Sequence, residues 1–209
     1  LRVVAYCRVS TKQDEQLNSY ENHTISEEKI AKALQKYGID AERRSIYKDI
    51  EEINKAQLII TQNVDDLHER AGSTRIIHLH GELTKVRPEN CCNEMDGYSE
   101  ESVFDIGYDT IEIGDLAPNG AQLRPHIVWF GEAVPYIDAA IDHVENADVL
   151  LIVGTSLQVY PAAGLYAYAK SDTPIYIIDP GEVRVHDGRI THIKDVATKG
   201  METFKNMVK

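Results

Sequence analysis

Glycine is missing from the start of this chain: the first is Gly38 and the next is Gly72. That excludes an N-terminal glycine loop for a diphosphate, which needs positions without Cβ where backbone meets phosphate. Cysteine is scarcer still, with Cys7, Cys91 and Cys92 the only three in 209 residues. Three cysteines build no disulfide framework, and a reducing cytoplasm is the expected compartment. No apolar run approaches the roughly 18 residues of a membrane-spanning helix. Residues 1–6 read as a strand without a cleavage site, so no leader is expected. An excess of positive charge is also lacking. The net charge is −12. Residues 1–55 hold ten Lys or Arg and ten Asp or Glu, whereas residues 56–209 hold twelve and twenty-four. So acidic a surface repels nucleic acid at long range, and no nucleic-acid partner is expected. It suits solubility and, beyond that, a cationic partner such as a lysine-rich tail.

Hydrophobic residues make up 43% of the chain, enough for a true core in one domain with or without a small appendage. From residue 55 onward, short apolar strands are expected at 57–61, 75–80, 126–130, 149–154, 174–179 and 191–193. Helical patterns fall at 136–145, 162–169 and 196–208. This alternation predicts an α/β fold: a Rossmann-like parallel sheet with helices on both faces. Residues 87–120 are polar and poorly periodic and read as a small inserted module or long loop. Two short helices at 27–37 and 41–53, around Gly38, predict a helical N-terminal appendage.

Four blocks carry chemistry. They are the twelve residues from Thr61 through Gln62-Asn63-Val64-Asp65 to Gly72, then His78-Leu79-His80-Gly81, then Val128-Trp129-Phe130-Gly131-Glu132, then Gly154-Thr155-Ser156. In this order they resemble the sirtuins, the NAD-dependent protein-lysine deacylases, over about residues 55–209. The resemblance implies NAD as cofactor, an acylated lysine peptide or protein as partner, and acyl transfer to ADP-ribose with release of nicotinamide. His80, before Gly81, corresponds to the catalytic base, a role that suits a histidine because its ordinary pKa lies near working pH. Gln62, Asn63 and Asp65 correspond to the nicotinamide and ribose pocket; that Asn63 and Asp65 simply cap a strand-to-helix turn is the alternative, which the twelve-residue match disfavours. Gly154, Thr155 and Ser156, after an apolar strand, correspond to contacts with the adenosine ribose and phosphates, as does Asp179 after the next strand, where the family usually has Asn. Val128, Trp129, Phe130, Gly131 and Glu132, with Val159, correspond to the walls that hold the acyl-lysine peptide as an added strand. Trp129 and Phe130 are also expected to serve in part as core packing.

The chain departs from the family pattern in three places. The Gly-Ala-Gly-x-Ser loop is absent, which implies weakened NAD binding. Asp66 stands where many members have glycine. Two Cys-x-x-Cys pairs are reduced to adjacent Cys91 and Cys92, which cannot share one tetrahedral ion, so no zinc is expected. Residues 1–23 resemble the opening of a serine recombinase, which would make Ser10 a nucleophile and Arg8 a phosphate clamp; a buried strand and helix start is the plainer alternative. Residues 24–54 resemble the helix-turn-helix of WYL-domain regulators, with Arg43, Arg44, Ser45, Tyr47 and Lys48 toward DNA; a helical hairpin is the alternative. The chain thus reads as a mosaic, natural or engineered. Three functions follow in order of expectation: a sirtuin-type deacylase, an inactive module that binds ADP-ribose or an acylated peptide, and a DNA-acting protein.

Overall fold

The computed structural model describes residues 2–7, 57–89, 102–155, 157–183, 185 and 187–208. The recombinase-like Arg8 and Ser10, the helix-turn-helix-like 24–54, Cys91, Cys92 and Ser156 lie outside the described residues.

Nine described strands build two sheets. β1 (Val3–Cys7), β2 (Gln57–Thr61), β3 (Ile76–His78), β7 (Val149–Val153), β8 (Ile175–Ile178) and β9 (Ile190–Ile193) form a parallel sheet in the order β3-β2-β1-β7-β8-β9. β4 (Gly81–Pro88), β5 (Phe104–Asp105) and β6 (Leu123–Ile127) form an antiparallel sheet in the order β5-β4-β6. Among the described residues four helical segments accompany them: α1 (Leu67–Arg70), α2 (Ile137–Glu145), a 3-10 helix (Ala162–Tyr168) and α3 (Ala197–Met207).

The strand alternation of side chains explains the layering. Leu150, Ile152, Ile175 and Ile177 point to one face of the parallel sheet, where they pack with Val4, Leu58 and Ile60 against Ala140 and Val144 of α2 and Ala162, Ala163 and Leu165 of the 3-10 helix. Val149, Leu151 and Ile178 point to the other, where they meet Phe204 and Met201 of α3. The Tyr176 and Phe204 rings meet edge to face, 5.0 Å apart. α3 approaches β8 closely because Gly200 has no side chain; a Cβ there would lie 2.2 Å from Ile178 Cγ2. Sheets covered on both faces are the rule where every strand is parallel, and the expected α/β class holds.

One expectation needs correction. Residues 126–130 do not form the expected strand. β6 spans Leu123–Ile127, and Trp129 to Glu132 lie beyond it in a turn. The Trp129 N–H goes to the Glu132 carboxylate, 2.9 Å away, and is lost to any ladder, while Gly131 turns the chain at φ +93°. Within 87–120, expected as a small inserted module or long loop, the end of β4 and all of β5 belong to the second sheet. Arg87 pairs with Arg124 and Val86 with Phe104. Pro125, which has no N–H, sits where the β4–β6 register slips between Glu82 and Val86, a position that tolerates it. The extra residues bow toward the first sheet, and Leu83 N–H donates to the Val64 carbonyl at 2.8 Å.

Burial of His126 in β6 makes this second sheet acid-sensitive. Burial first, and then the charge on Arg87, depress the imidazole from its ordinary 6.5 to about 4, with Lys85 and Arg124 assisting and Glu82 opposing. The unfolded chain therefore binds a proton over that window which the folded chain refuses, and stability is lost as pH falls through it. Thermal unfolding of the unaltered chain should show a midpoint that drops between pH 6.5 and about 4, and a His126→Gln variant should show a shallower drop. Parallel curves would remove His126 as the cause.

Candidate active site

The order of the parallel sheet locates the site. From β1 the chain steps outward through β2 and β3; from its neighbour β7 it steps the other way through β8 and β9. Ligands of such sheets bind beyond the carboxyl ends of the strands at this reversal. Gln62 and Asn63 leave β2 there, Gly154 and Thr155 leave β7, and Asp179 leaves β8.

The turn after β2 is held by its own polar groups. Thr61 Oγ1 accepts the Asn63 N–H at 3.0 Å, and Asp65 Oδ1 accepts the Leu67 N–H at 3.2 Å at the start of α1. His78, only 7% exposed, fastens this turn from below: Nδ1 donates to the Asn63 carbonyl at 3.1 Å, and Nε2 meets Glu69 of α1 at 2.8 Å. Glu69, His78 and Glu82 bring ligand-type atoms within 4.8 Å of one another. The His78 bond to Glu69 and the 2.7 Å ion pair of Glu82 with Lys85 account for that cluster without a cation. In α1, burial lowers the proton affinity of His68, an effect that Asp65 and Glu69 only partly oppose.

His80 lies one turn past β3 rather than on it. Its Nδ1 is 3.3 Å from the Gln62 carbonyl. A carbonyl only accepts, so that bond assigns the proton to Nδ1 and the basic lone pair to Nε2. The backbone fixes the residue from both sides. Its carbonyl accepts the Val128 N–H at 2.9 Å, and the following Gly81 takes φ +79° against the His126 backbone. A Cβ on Gly81 would stand 2.0 Å from the His126 carbonyl oxygen. The His-Gly pair thus has a local physical cause: only glycine turns the chain from the first sheet into β4 at this separation.

A cavity of about 170 Å³ opens beside His80. Gln62, Val128, Trp129, Phe130, Gly131, Glu132 and Val159 join His80 around it, so the structure brings eight of the fourteen candidate residues together. Val134, Tyr160 and Pro161 complete the wall and were not singled out in the sequence. The aromatic pair is not core. Trp129 is 53% exposed and Phe130 99% exposed, which corrects the expectation of core packing. Asn63, Asp65, Gly154, Thr155 and Asp179 do not line this cavity. They sit along the strand ends: Gly154 at φ +65°, Thr155 buried with its hydroxyl accepting the Leu157 N–H, and Asp179 Oδ1 accepting the Gly181 N–H at 2.7 Å.

Residues 8–161 match the Sir2 family. The chain belongs to the Sir2 family. The match begins well before residue 61, where the first of the four blocks starts. Among curated Sir2 relatives, the NAD-dependent protein deacylase of Bacteroides thetaiotaomicron is 49% identical over 153 residues, covering 72% of this chain and 63% of its own. The NAD-dependent protein deacylase of Helicobacter pylori is 55% identical over 128 residues, covering 61% and 52%. The chain therefore spans between about half and two-thirds of these relatives. A crystal structure of a Sir2 homologue with NAD superposes with a TM-score of 0.61 at 36% identity, covering 75% of this chain and 60% of that one. A mutant Sir2 homologue with ADP ribose superposes at 0.63 and 29% identity, covering 99% and 90%.

The Gly81 contact makes a sharp prediction for this Sir2 chain. Gly81→Ala combines an unfavourable φ with a backbone clash and should cost more than about 2 kcal/mol of folding stability. Gly72→Ala, also at positive φ but with nothing within 4 Å of the added Cβ, should cost only about 1 kcal/mol. Equal losses in denaturant melts would show that the close approach to His126 is not what selects glycine.

Proposed function

We propose that this chain is an NAD-dependent protein-lysine deacylase of the Sir2 type, with His80 as its base. The observation that carries the proposal is the single cavity joining His80, the Gln62 turn and the exposed Trp129–Phe130 ledge. NAD, when bound, supplies an anomeric carbon with nicotinamide as leaving group and the ribose hydroxyls that receive the acyl group. The chain's own residues supply the rest. Nδ1 of His80 is held by the Gln62 carbonyl, a tautomer in which Nε2 is the basic nitrogen that takes a proton from a ribose hydroxyl. The Gln62 and Asn63 carboxamides offer both donors and acceptors at the mouth of β2, suited to a carboxamide or a ribose. Trp129, Phe130 and Tyr160 offer exposed apolar surface to an acyl-lysine segment and exclude water from the reacting amide. The acidic chain, at net −12, favours the cationic flanks of lysine-rich substrates.

One observation supports a second reading. The strand at the centre of the reversal is β1, and no glycine occurs between it and Gly38. Loops at that point commonly bind a diphosphate through glycine backbone. A chain that binds ADP-ribose or an acylated peptide without turnover fits this feature. The two readings part on one assay. With NAD and an acetyl-lysine peptide, nicotinamide release should depend on the peptide and fall by about 10²–10⁴-fold in His80→Ala. Release that is absent from the unaltered chain would leave only the binding reading, and release equal in the variant would remove His80 as the base.

A further inference from the structure

Arg87 and Arg124 stand directly opposite each other in the β4–β6 ladder. Like charges so placed destabilise an antiparallel pair. Water does little to relieve this one, because the Arg87 side chain is 1% exposed. Among the described residues, a carboxylate that meets both guanidinium groups relieves it. Glu132 Oε1 accepts Arg124 Nη1 at 2.6 Å, and Oε2 accepts Arg87 Nη2 at 3.1 Å and Arg124 Nη2 at 3.3 Å. Both guanidinium groups also donate to the Ile127 carbonyl, at 3.1 and 3.2 Å. Oε2 of Glu132 further accepts the Trp129 N–H at 2.9 Å, and the Arg124 guanidinium lies 3.8 Å from the centre of the Trp129 ring. Burial alone would raise the Glu132 carboxyl, but the Arg124 and Trp129 hydrogen bonds and the two positive charges outweigh it and hold it below its ordinary value.

Glu132 lines the His80 cavity, yet both its oxygens are taken by protein donors. We propose that Glu132 is a positioning residue: bridging the opposed Arg87 and Arg124 and capping the Trp129 amide, it holds Trp129 as the fixed wall of the His80 cavity. The second sheet is then a brace for the ligand surface of the first. Arg124 contributes twice, as a counter-charge to Glu132 and as a flat cation over the indole, a combination that lysine cannot reproduce. The ligand in question, an acyl-lysine segment, rests on the deacylase reading; the brace itself does not.

Trp129 is the only tryptophan in the chain, so its emission reports on this wall alone. In the full chain, Glu132→Gln and Arg124→Lys should both increase acrylamide quenching of Trp129 and flatten its near-ultraviolet dichroism, with the far-ultraviolet spectrum intact. KM for an acetyl-lysine peptide should rise about tenfold with kcat changed less than about threefold, since a charge-assisted contact is lost from binding rather than chemistry. If Glu132→Gln fails to fold, Arg124→Lys decides alone. Unchanged quenching in the folded variants, or a fall in kcat at constant KM, would overturn the proposal. If the unaltered chain turns over no peptide, the deacylase reading fails, and Trp129 quenching still judges the brace.

Discussion

The close contact between residue 81 and the His126 carbonyl is the constraint on which the rest of this molecule depends. It is the joint where the chain leaves a parallel sheet and enters an antiparallel one. Because Gly81 has no side chain and accepts φ +79°, β4 can start directly against β6. That start aligns Gly81 with Ile127 in the ladder and brings Val128 N–H to the His80 carbonyl. His80 is therefore fixed between its bond to Gln62, which follows β2 of the first sheet, and its bond to Val128, which follows β6 of the second. A side chain held between two layers in this way loses little entropy when a ligand arrives.

The electrostatics of the second sheet follow from the same geometry. Aligning β4 with β6 sets Arg87 against Arg124, an arrangement that opposes folding unless a carboxylate intervenes. Glu132 is that carboxylate, and it reaches them only because the chain turns back at Gly131. Buried charge clusters seldom add net stability over an apolar packing of the same shape, but they do select one arrangement, since any other leaves a charge unpaired. In this chain the selected arrangement is that of an exposed aromatic ledge. Trp129 and Phe130 lie outside both apolar clusters, so packing alone would not hold them.

Much of the fold was legible in the sequence. The apolar strands at 57–61 and 149–153 appear within a residue of their expected bounds, because buried parallel strands are nearly continuous runs of Val, Ile and Leu. The helices over 137–145 and 197–207 follow from their apolar periodicity. The second sheet was not legible. β4 mixes charged and apolar residues, contains a register slip and ends in proline, so its pattern has no clean period. Residues 126–130 look like a strand by their apolar and aromatic content, yet three ionic partners capture the end of that segment, and no local signal announces partners at residues 87 and 124. The candidate site was legible as motifs, and the cavity unites His80 and Gln62 with the 128–132 block and Val159. What the motifs could not convey was division of labour. His78 fastens the turn after β2 from beneath through the Asn63 carbonyl and Glu69, and Thr61 holds the same turn through its hydroxyl.

The proposed acyl transfer from lysine to the ribose of NAD at this cavity is tested most directly by mass spectrometry of the products formed when the chain is mixed with NAD and an acetyl-lysine peptide. Deacetylated peptide, nicotinamide and acetylated ADP-ribose are expected in equal amounts. Deacetylated peptide accompanied by free acetate, with NAD left whole, would contradict it, as would the absence of all three products from a chain whose folding has been verified.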